Sequence, residues 1–235
     1  MTDSGFQDKK SIQNGKSGQF MNRFVLFDFD GTIYDTVEGI TRCVAYAAEK
    51  QGIIVRPEEL RCFAGPPLVP MFMSYFGMNE DNAMQALTDF RERYVPVGVF
   101  ESRVFPEIPG CLSRIRAKGF RMAIATSKPE RETRRLLERS GLTDFFEFVS
   151  GGQPTGKDIT KPEAVARALR QLEAGPGEAV MVGDTRYDIE GAHINGIPCI
   201  GVTYGFAAPG ELEAAGADVI VDSPNELAAY FEALT

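Results

Sequence analysis

The chain has one histidine, His193, and four cysteines, Cys43, Cys62, Cys111 and Cys199, that lie far apart with no Cys-x-x-Cys pair. A zinc site therefore lacks its ligand set, and the cysteines read as reduced, mostly buried thiols. No run of about eighteen apolar residues occurs, so nothing is expected to span a membrane. Residues 1–21 carry Lys9, Lys10 and Lys16 but no apolar stretch of the kind a signal peptide needs. They are expected to form a disordered or tag-like extension, and the protein is expected to be cytoplasmic. Positive charge is in deficit: 25 Lys and Arg against 33 Asp and Glu give a net charge of -8. That argues against a nucleic-acid surface, because phosphate backbones are bound through clusters of Lys and Arg. No internal repeat or low-complexity tract is present. The remaining composition, 43% hydrophobic and 25% charged over 235 residues, suits one large α/β domain or one domain carrying an insertion.

The most informative stretch is Phe24-Val25-Leu26-Phe27-Asp28-Phe29-Asp30-Gly31-Thr32. Four consecutive large apolar residues, too few for a helix, predict a strand buried on both faces, and Gly31 marks its exit. The period of two places Asp28 and Asp30 on one side. Two carboxylates aimed at one point repel unless a positive charge sits between them. Mg²⁺ fits, since it prefers oxygen ligands and is commonly held by carboxylates together with a substrate phosphate. The plainer reading is a strand and an Asp-Gly turn with both acids solvated.

Asp35 and Glu38 resemble a capping box ahead of a helix running to about Gln51. Pro57 to Phe63 reads as a short helix, Gly65-Pro66-Pro67-Leu68 as a rigid loop, and Pro70 to Phe76 as another short helix. Met84, Leu87, Phe90 and Tyr94 recur at helical steps and mark an amphipathic helix. Residues 37–103 contain no convincing strand and read as a helical insertion into a core made of residues 22–36 and 104–235. From Gly110 onward strands alternate with helices: strands at 121–125, 146–149, 179–182, 199–202 and 219–221, helices at 110–118, 129–140, 162–172 and 187–195, one near Glu211 and one at the end. Such alternation predicts an α/β fold, a Rossmann-like, doubly wound parallel sheet with right-handed crossovers. Ligands in such sheets bind beyond the carboxyl ends of the strands.

Four of those strand ends carry polar residues suited to one site. Asp28 and Asp30 end the first, Thr126 and Ser127 the second. Lys161 follows the third, and Gly183-Asp184 ends the fourth with Asp188 one helical turn on. Ser127 and Glu130 read as a capping box, and the Thr126 hydroxyl with the amides of that helix start would make a pocket for phosphate oxygens. A lysine just after the Thr160-to-Glu163 capping box is mildly disfavoured by the helix dipole, which suggests that Lys161 answers nearby acids. Asp184 and Asp188 added to two acids already present are hard to explain without a metal.

Taken together these residues resemble the four motifs of the haloacid dehalogenase superfamily: Asp28 to Thr32, Thr126, Lys161, and Gly183-Asp184 with Asp188. The match runs from about residue 23 onward, the insertion looks like the family's helical cap, and the pattern is similar to the phosphoglycolate phosphatase-like subfamily. The resemblance implies a Mg²⁺-dependent phosphatase acting on a small phosphorylated metabolite through an aspartyl-phosphate. Asp28 would be the nucleophile and Asp30 the acid and then the base. Thr126, Lys161, Ser127 and Gly31 would surround the phosphate. By the same resemblance Mg²⁺ is bound by Asp28, the backbone carbonyl of Asp30 and Asp184, with Asp188 in support. Gly65 and Leu68 occupy the place of the cap's specificity loop, and Arg61 and Arg91 are candidates to meet a substrate carboxylate or second phosphate. A monomer or homodimer is expected.

Rival readings have specific weaknesses. Gly151 to Asp158 nearly spells a nucleotide-binding G-x-x-x-x-G-K-[ST] loop, but Asp158 replaces the hydroxyl residue that binds Mg²⁺. Lys157 in that loop is a minor rival to Lys161. A phosphorylation-receiver module, the non-enzymatic alternative, lacks an acid two residues after its accepting aspartate, as does a dehalogenase. Asp30 therefore points to turnover. A sugar-phosphate mutase, a 5'-nucleotidase and a pyrophosphatase remain open, and His193 is read as structural.

Overall fold

The computed structural model describes residues 24–153, 159–175 and 177–234. The expected extension over residues 1–21 and the rival Lys157 lie outside the described residues.

Strand β1 (Phe24–Phe27) is buried at every position, and its alternation divides the core. Val25 and Phe27 enter one hydrophobic cluster, Phe24 and Leu26 the other. Burying each such side chain contributes roughly 1.5–3 kcal/mol, which is why this short run seeks the middle of the sheet. β4 (Arg121–Pro129) and β6 (Ala179–Gly183) pair with it on either side, both parallel. β5 (Phe148–Gly152), β7 (Cys199–Val202) and β8 (Val219–Val221) complete a sheet of order β5-β4-β1-β6-β7-β8. Helices α4 (Ile108–Ala117), α5 (Glu130–Ser140) and α9 (Pro224–Ala233) put Leu112, Leu136 and Phe231 into the first cluster. Helices α6 (Lys161–Leu172), α7 (Arg186–Ile194) and α8 (Glu211–Ala215) put Val165, Ile189 and Leu212 into the second. The sheet is thus doubly wound, and its order reverses at β1, which opens a crevice beyond that strand's carboxyl end.

The helical insertion lies between two very short strands, β2 (Tyr34–Asp35) and β3 (Arg103–Val104), which pair antiparallel with Tyr34 opposite Val104 and Asp35 opposite Arg103. Two-residue strands carry no periodic signal, and the expected boundary at residue 103 falls inside β3. The insertion comprises α1 (Val37–Lys50), a 3-10 helix Pro57–Phe63, α2 (Leu68–Phe76), α3 (Glu80–Tyr94) and a 3-10 turn Gly98–Phe100. α2 starts at Leu68 rather than Pro70, since a proline in the first turn forfeits no helical hydrogen bond. On α3 the buried stripe is Ala83, Leu87, Phe90 and Tyr94, while Met84 is 51% exposed, so a small residue rather than the methionine faces the core.

Two expected caps are not formed. The Asp35 carboxylate pairs with Arg103 at 2.9 Å and accepts only a 3.3 Å bond from the Val37 amide, while Glu38 pairs with Arg42 at 2.7 Å. Strand β4 runs past Thr126 and Ser127 to Pro129, so Pro129 precedes α5 and Glu130 turns to Arg167 and Arg134. Opposite it, Gly151 and Gly152 belong to β5, with Gly152 pairing Pro129, rather than to a phosphate loop. Cys43, Cys62, Cys111 and Cys199 are free thiols, Cys62 alone being exposed. His193 ties α7 to Asp218 at 2.9 Å, a structural contact as expected. Among the described residues no helix is long and apolar enough to cross a membrane.

Candidate active site

Beyond Phe27 the chain leaves the sheet ladder, and Asp28 and Asp30 take different partners. Asp28 is anchored to β6 by its amide, which donates to the Val182 carbonyl at 2.9 Å. Its Oδ1 lies 2.6 Å from Lys161 Nζ, and Asp188 Oδ1 lies 2.8 Å from the same ammonium. One ammonium thus serves both carboxylates as a buried ion pair. Lys161 opens α6 behind the Thr160–Glu163 capping box and donates to the Ala125 carbonyl at 3.4 Å. Gly191 of α7 leaves room for it, since a Cβ there would lie 2.7 Å from Lys161 Cγ.

Asp184 is walled in. Its Oδ1 accepts from the Thr32 hydroxyl at 3.0 Å and its Oδ2 from the Phe206 amide at 2.8 Å. Asp188 Oδ2 accepts from the amide and hydroxyl of Thr185, at 3.0 and 2.9 Å. These bonds leave Asp28, Asp184 and Asp188 each offering one oxygen within 4.8 Å of the others, all three buried. Gly31 passes over them with φ +88°, and a Cβ there would fall 2.0 Å from Asp184 Oδ2. Gly31→Ala is therefore expected to displace Asp184 as well as strain the backbone, a cost of about 2 kcal/mol or more. Thermal unfolding should show a fall in Tm of several degrees, and an unchanged Tm would mean that the turn relaxes freely.

The Asp30 carboxylate is not in the three-acid cluster. Both its oxygens are held by Lys128 Nζ, at 3.0 and 3.1 Å, and the same ammonium donates to the Tyr94 hydroxyl oxygen. Thr126 is buried and its hydroxyl oxygen accepts from the Lys128 amide at 3.3 Å, while Ser127 points outward, exposed. Gly65 brings the insertion to the site, since a Cβ built there would lie 3.2 Å from Thr185 Cγ2. Leu68 is half-buried against the first hydrophobic cluster. Arg61 and Arg91 are exposed, and Arg61 lines a cavity of about 590 Å³ with Asp35, Glu58, Glu101 and Arg103, a lining that includes none of the site's four aspartates.

Burial pushes the Asp28 carboxyl up from 3.8 to about 6 despite the pull of Lys161. Asp184 is also raised well above the carboxylate range, first by burial and then by Asp188 and Asp28. Burial works to lower Lys161, but Asp188 and Asp28 outweigh it and hold Lys161 above the ordinary lysine range. Three buried acids thus converge on a single ammonium, with burial and mutual repulsion opposing their ionisation, a setting that an oxygen-preferring divalent cation would relieve.

The structure therefore brings Asp28, Lys161, Asp184 and Asp188 together, with Thr126 and Asp30 at the neighbouring strand ends. Lys128, the amide of Phe206 and the space at Gly191 carry no sequence signal of their own. Lys128 adjoins Thr126-Ser127, but a lysine at a strand end is ordinarily solvated.

Comparison with known proteins agrees. Residues 25–202 match the family model described as haloacid dehalogenase-like hydrolase. A 5'-nucleotidase of Pseudomonas aeruginosa is 37% identical over 192 residues, 81% of this chain and 86% of that protein. A plasmid-encoded phosphoglycolate phosphatase of Cupriavidus necator is 30% identical, covering 87% of this chain and 91% of that protein. The crystal structure of a protein from Clostridium acetobutylicum, described as a predicted phosphatase, superposes with a TM-score of 0.86 at 38% identity, over 91% of this chain and 99% of that one. With its strand-end acids, its buried lysine and a family match over most of its length, the chain belongs to the haloacid dehalogenase-like hydrolases.

Proposed function

We propose that this hydrolase is a Mg²⁺-dependent phosphatase that cleaves a small phosphomonoester through an aspartyl-phosphate on Asp28. The observation that carries the reading is the placement of two carboxylates in unlike settings. Asp28 lies buried between Lys161 and the Asp184–Asp188 pair, and Asp30 is held apart by Lys128. Asp28 attacks phosphorus as the ester P–O bond breaks, and the departing oxygen takes a proton from Asp30. Asp30 then accepts a proton from water, which attacks the acyl phosphate, releases inorganic phosphate and restores Asp28. Lys161 offsets phosphoryl charge, and Thr126 orients a phosphoryl oxygen. Asp28, Asp184 and Asp188 would hold Mg²⁺, which supplies charge neutralisation at the phosphoryl oxygens. Acid–base help is worth only about 10² to 10⁴, whereas phosphomonoester hydrolysis is accelerated by up to about 10²¹, so positioning and electrostatics carry most of the effect. The names of the similar proteins, a 5'-nucleotidase and a phosphoglycolate phosphatase, support a small phosphorylated metabolite as substrate.

The test is phosphate release from a panel of phosphate esters with Mg²⁺, then with EDTA. Undiminished turnover in EDTA would remove the metal from the reaction. A thermal companion follows from Asp28, whose carboxyl stands at about 6 in the fold against 3.8 when free. Below both values it is protonated in either state and costs nothing. As pH rises through that window the unfolded chain releases its proton first, so the metal-free fold loses stability, and the loss is complete above the folded value. Mg²⁺ needs the ionised carboxylate and offsets this cost. The rise in Tm on adding Mg²⁺ is expected to be larger at about pH 7.5 than at about pH 5, and the reverse order would contradict the assignment.

A further inference from the structure

Lys128 is the second buried cation of the site and has no part in the steps above. Its side chain is 2% exposed, whereas that of Asp30 is 22% exposed, so the lysine lies deeper than the carboxylate it holds. One ammonium meets both Asp30 oxygens, at 3.0 and 3.1 Å, which pins the place of the carboxylate. Among the described residues the ammonium also meets the Tyr94 hydroxyl oxygen and the rings of Tyr94 and Phe29, with centroids 4.9 and 5.9 Å away. Three parts of the chain therefore converge on one atom: the turn after β1 through Asp30, β4 through Lys128, and the last residue of α3 through Tyr94. Tyr94 alone comes from the insertion. A buried lysine whose purpose was stability would be a poor choice, since paired buried charges are often no better than apolar side chains of similar volume.

We propose that Lys128 and Tyr94 are positioning residues for Asp30: the insertion, through the Tyr94 hydroxyl, sets the ammonium that aims the Asp30 carboxylate at the ester oxygen. The inference rests on the acid role given to Asp30 above. It adds a dependence of proton delivery on a residue of the insertion, so that Asp30 is aimed when α3 is seated against β4.

The test uses leaving-group dependence in kcat/KM, which reports the steps through phosphoryl transfer. An alkyl phosphate needs a proton on its departing oxygen, and 2,4-dinitrophenyl phosphate does not. Lys128→Met keeps the length of the side chain and removes the charge. It is expected to lower kcat/KM for the alkyl ester about 100-fold and for the dinitrophenyl ester less than about 5-fold. Tyr94→Phe keeps the ring, removes one hydroxyl, and is expected to show the same selective loss at about 10-fold. Lys128→Arg restores the charge and should recover part of the alkyl-ester rate. Equal losses on both esters, or none, in Lys128→Met and Tyr94→Phe overturn the proposal. Asp30→Asn separates the two levels. If it shows the selective loss while the other two variants do not, the positioning role falls and the acid role of Asp30 stands. If it loses equally on both esters, the acid role falls and takes this inference with it. Tyr94→Phe, with its volume kept, decides the matter should Lys128→Met fail to fold.

Discussion

Asp28→Asn is expected to abolish turnover, with kcat reduced by at least about 10⁴-fold, because a carboxamide is no nucleophile toward phosphorus. The same substitution is expected to leave the metal-free protein folded and no less stable. Burial already holds the Asp28 carboxyl at about 6, which means that its charge is a cost to the fold near neutral pH. Removing that charge relieves the cost, and Lys161 keeps Asp188 as its partner at 2.8 Å. Activity and stability should therefore move apart, as they do where a site is built at the expense of the fold. The measurements are phosphate release, Tm, and mass spectrometry of protein quenched during turnover. Covalent phosphate found on the Asp28→Asn protein would place the nucleophile elsewhere.

Lys161→Ala is expected to act in the opposite sense on stability. The ammonium sits between Asp28 and Asp188 with its own side chain 7% exposed, so its loss leaves two buried carboxylates facing each other. Breaking a buried pair by removing one partner typically costs about 3–5 kcal/mol, and here one cation serves two acids. The expected outcome is a Tm lowered by 10 °C or so in the absence of metal, with kcat down by about 10³-fold. Lys157→Ala should leave both quantities near their starting values. Equal losses for the two variants, or a larger one at Lys157, would transfer the phosphate-facing role to the other lysine.

Most strands of the main sheet are legible as compact apolar runs whose two faces feed separate clusters, as Phe24 to Phe27 show, whereas β5 runs over Phe148–Gly152 rather than the expected 146–149 because Ser150 and two glycines carry no apolar signal. The site acids were legible for a related reason: a carboxylate at the end of a buried strand has few structural uses. Lys128 was not legible. Its partner Asp30 lies 98 positions away, and only the parallel pairing of β1 with β4 makes them neighbours. Periodicity marks Tyr94 as one more apolar step on α3, since it reports that a side chain is buried and not what its hydroxyl meets. Local preference favours a helix start at Ser127–Glu130, yet the structure forms no such cap. The ladder of β4, irregular between Ala125 and Pro129, keeps those residues in the sheet instead. Tertiary pairing overrode a local signal.

The short pairing of Tyr34–Asp35 with Arg103–Val104 has a mechanical consequence. Both chain crossings between sheet and insertion pass through it, side by side, and Phe105 further donates to the Ile33 carbonyl at 3.1 Å. Two separate tethers would let the helices slide, twist or tilt independently. A hydrogen-bonded pair resists shear within its own plane and yields most easily by flexing out of it, like a strap. Paired crossings of this kind favour a swing about a single axis over independent sliding of the helices, and the Tyr94–Lys128 contact is where such a swing would register.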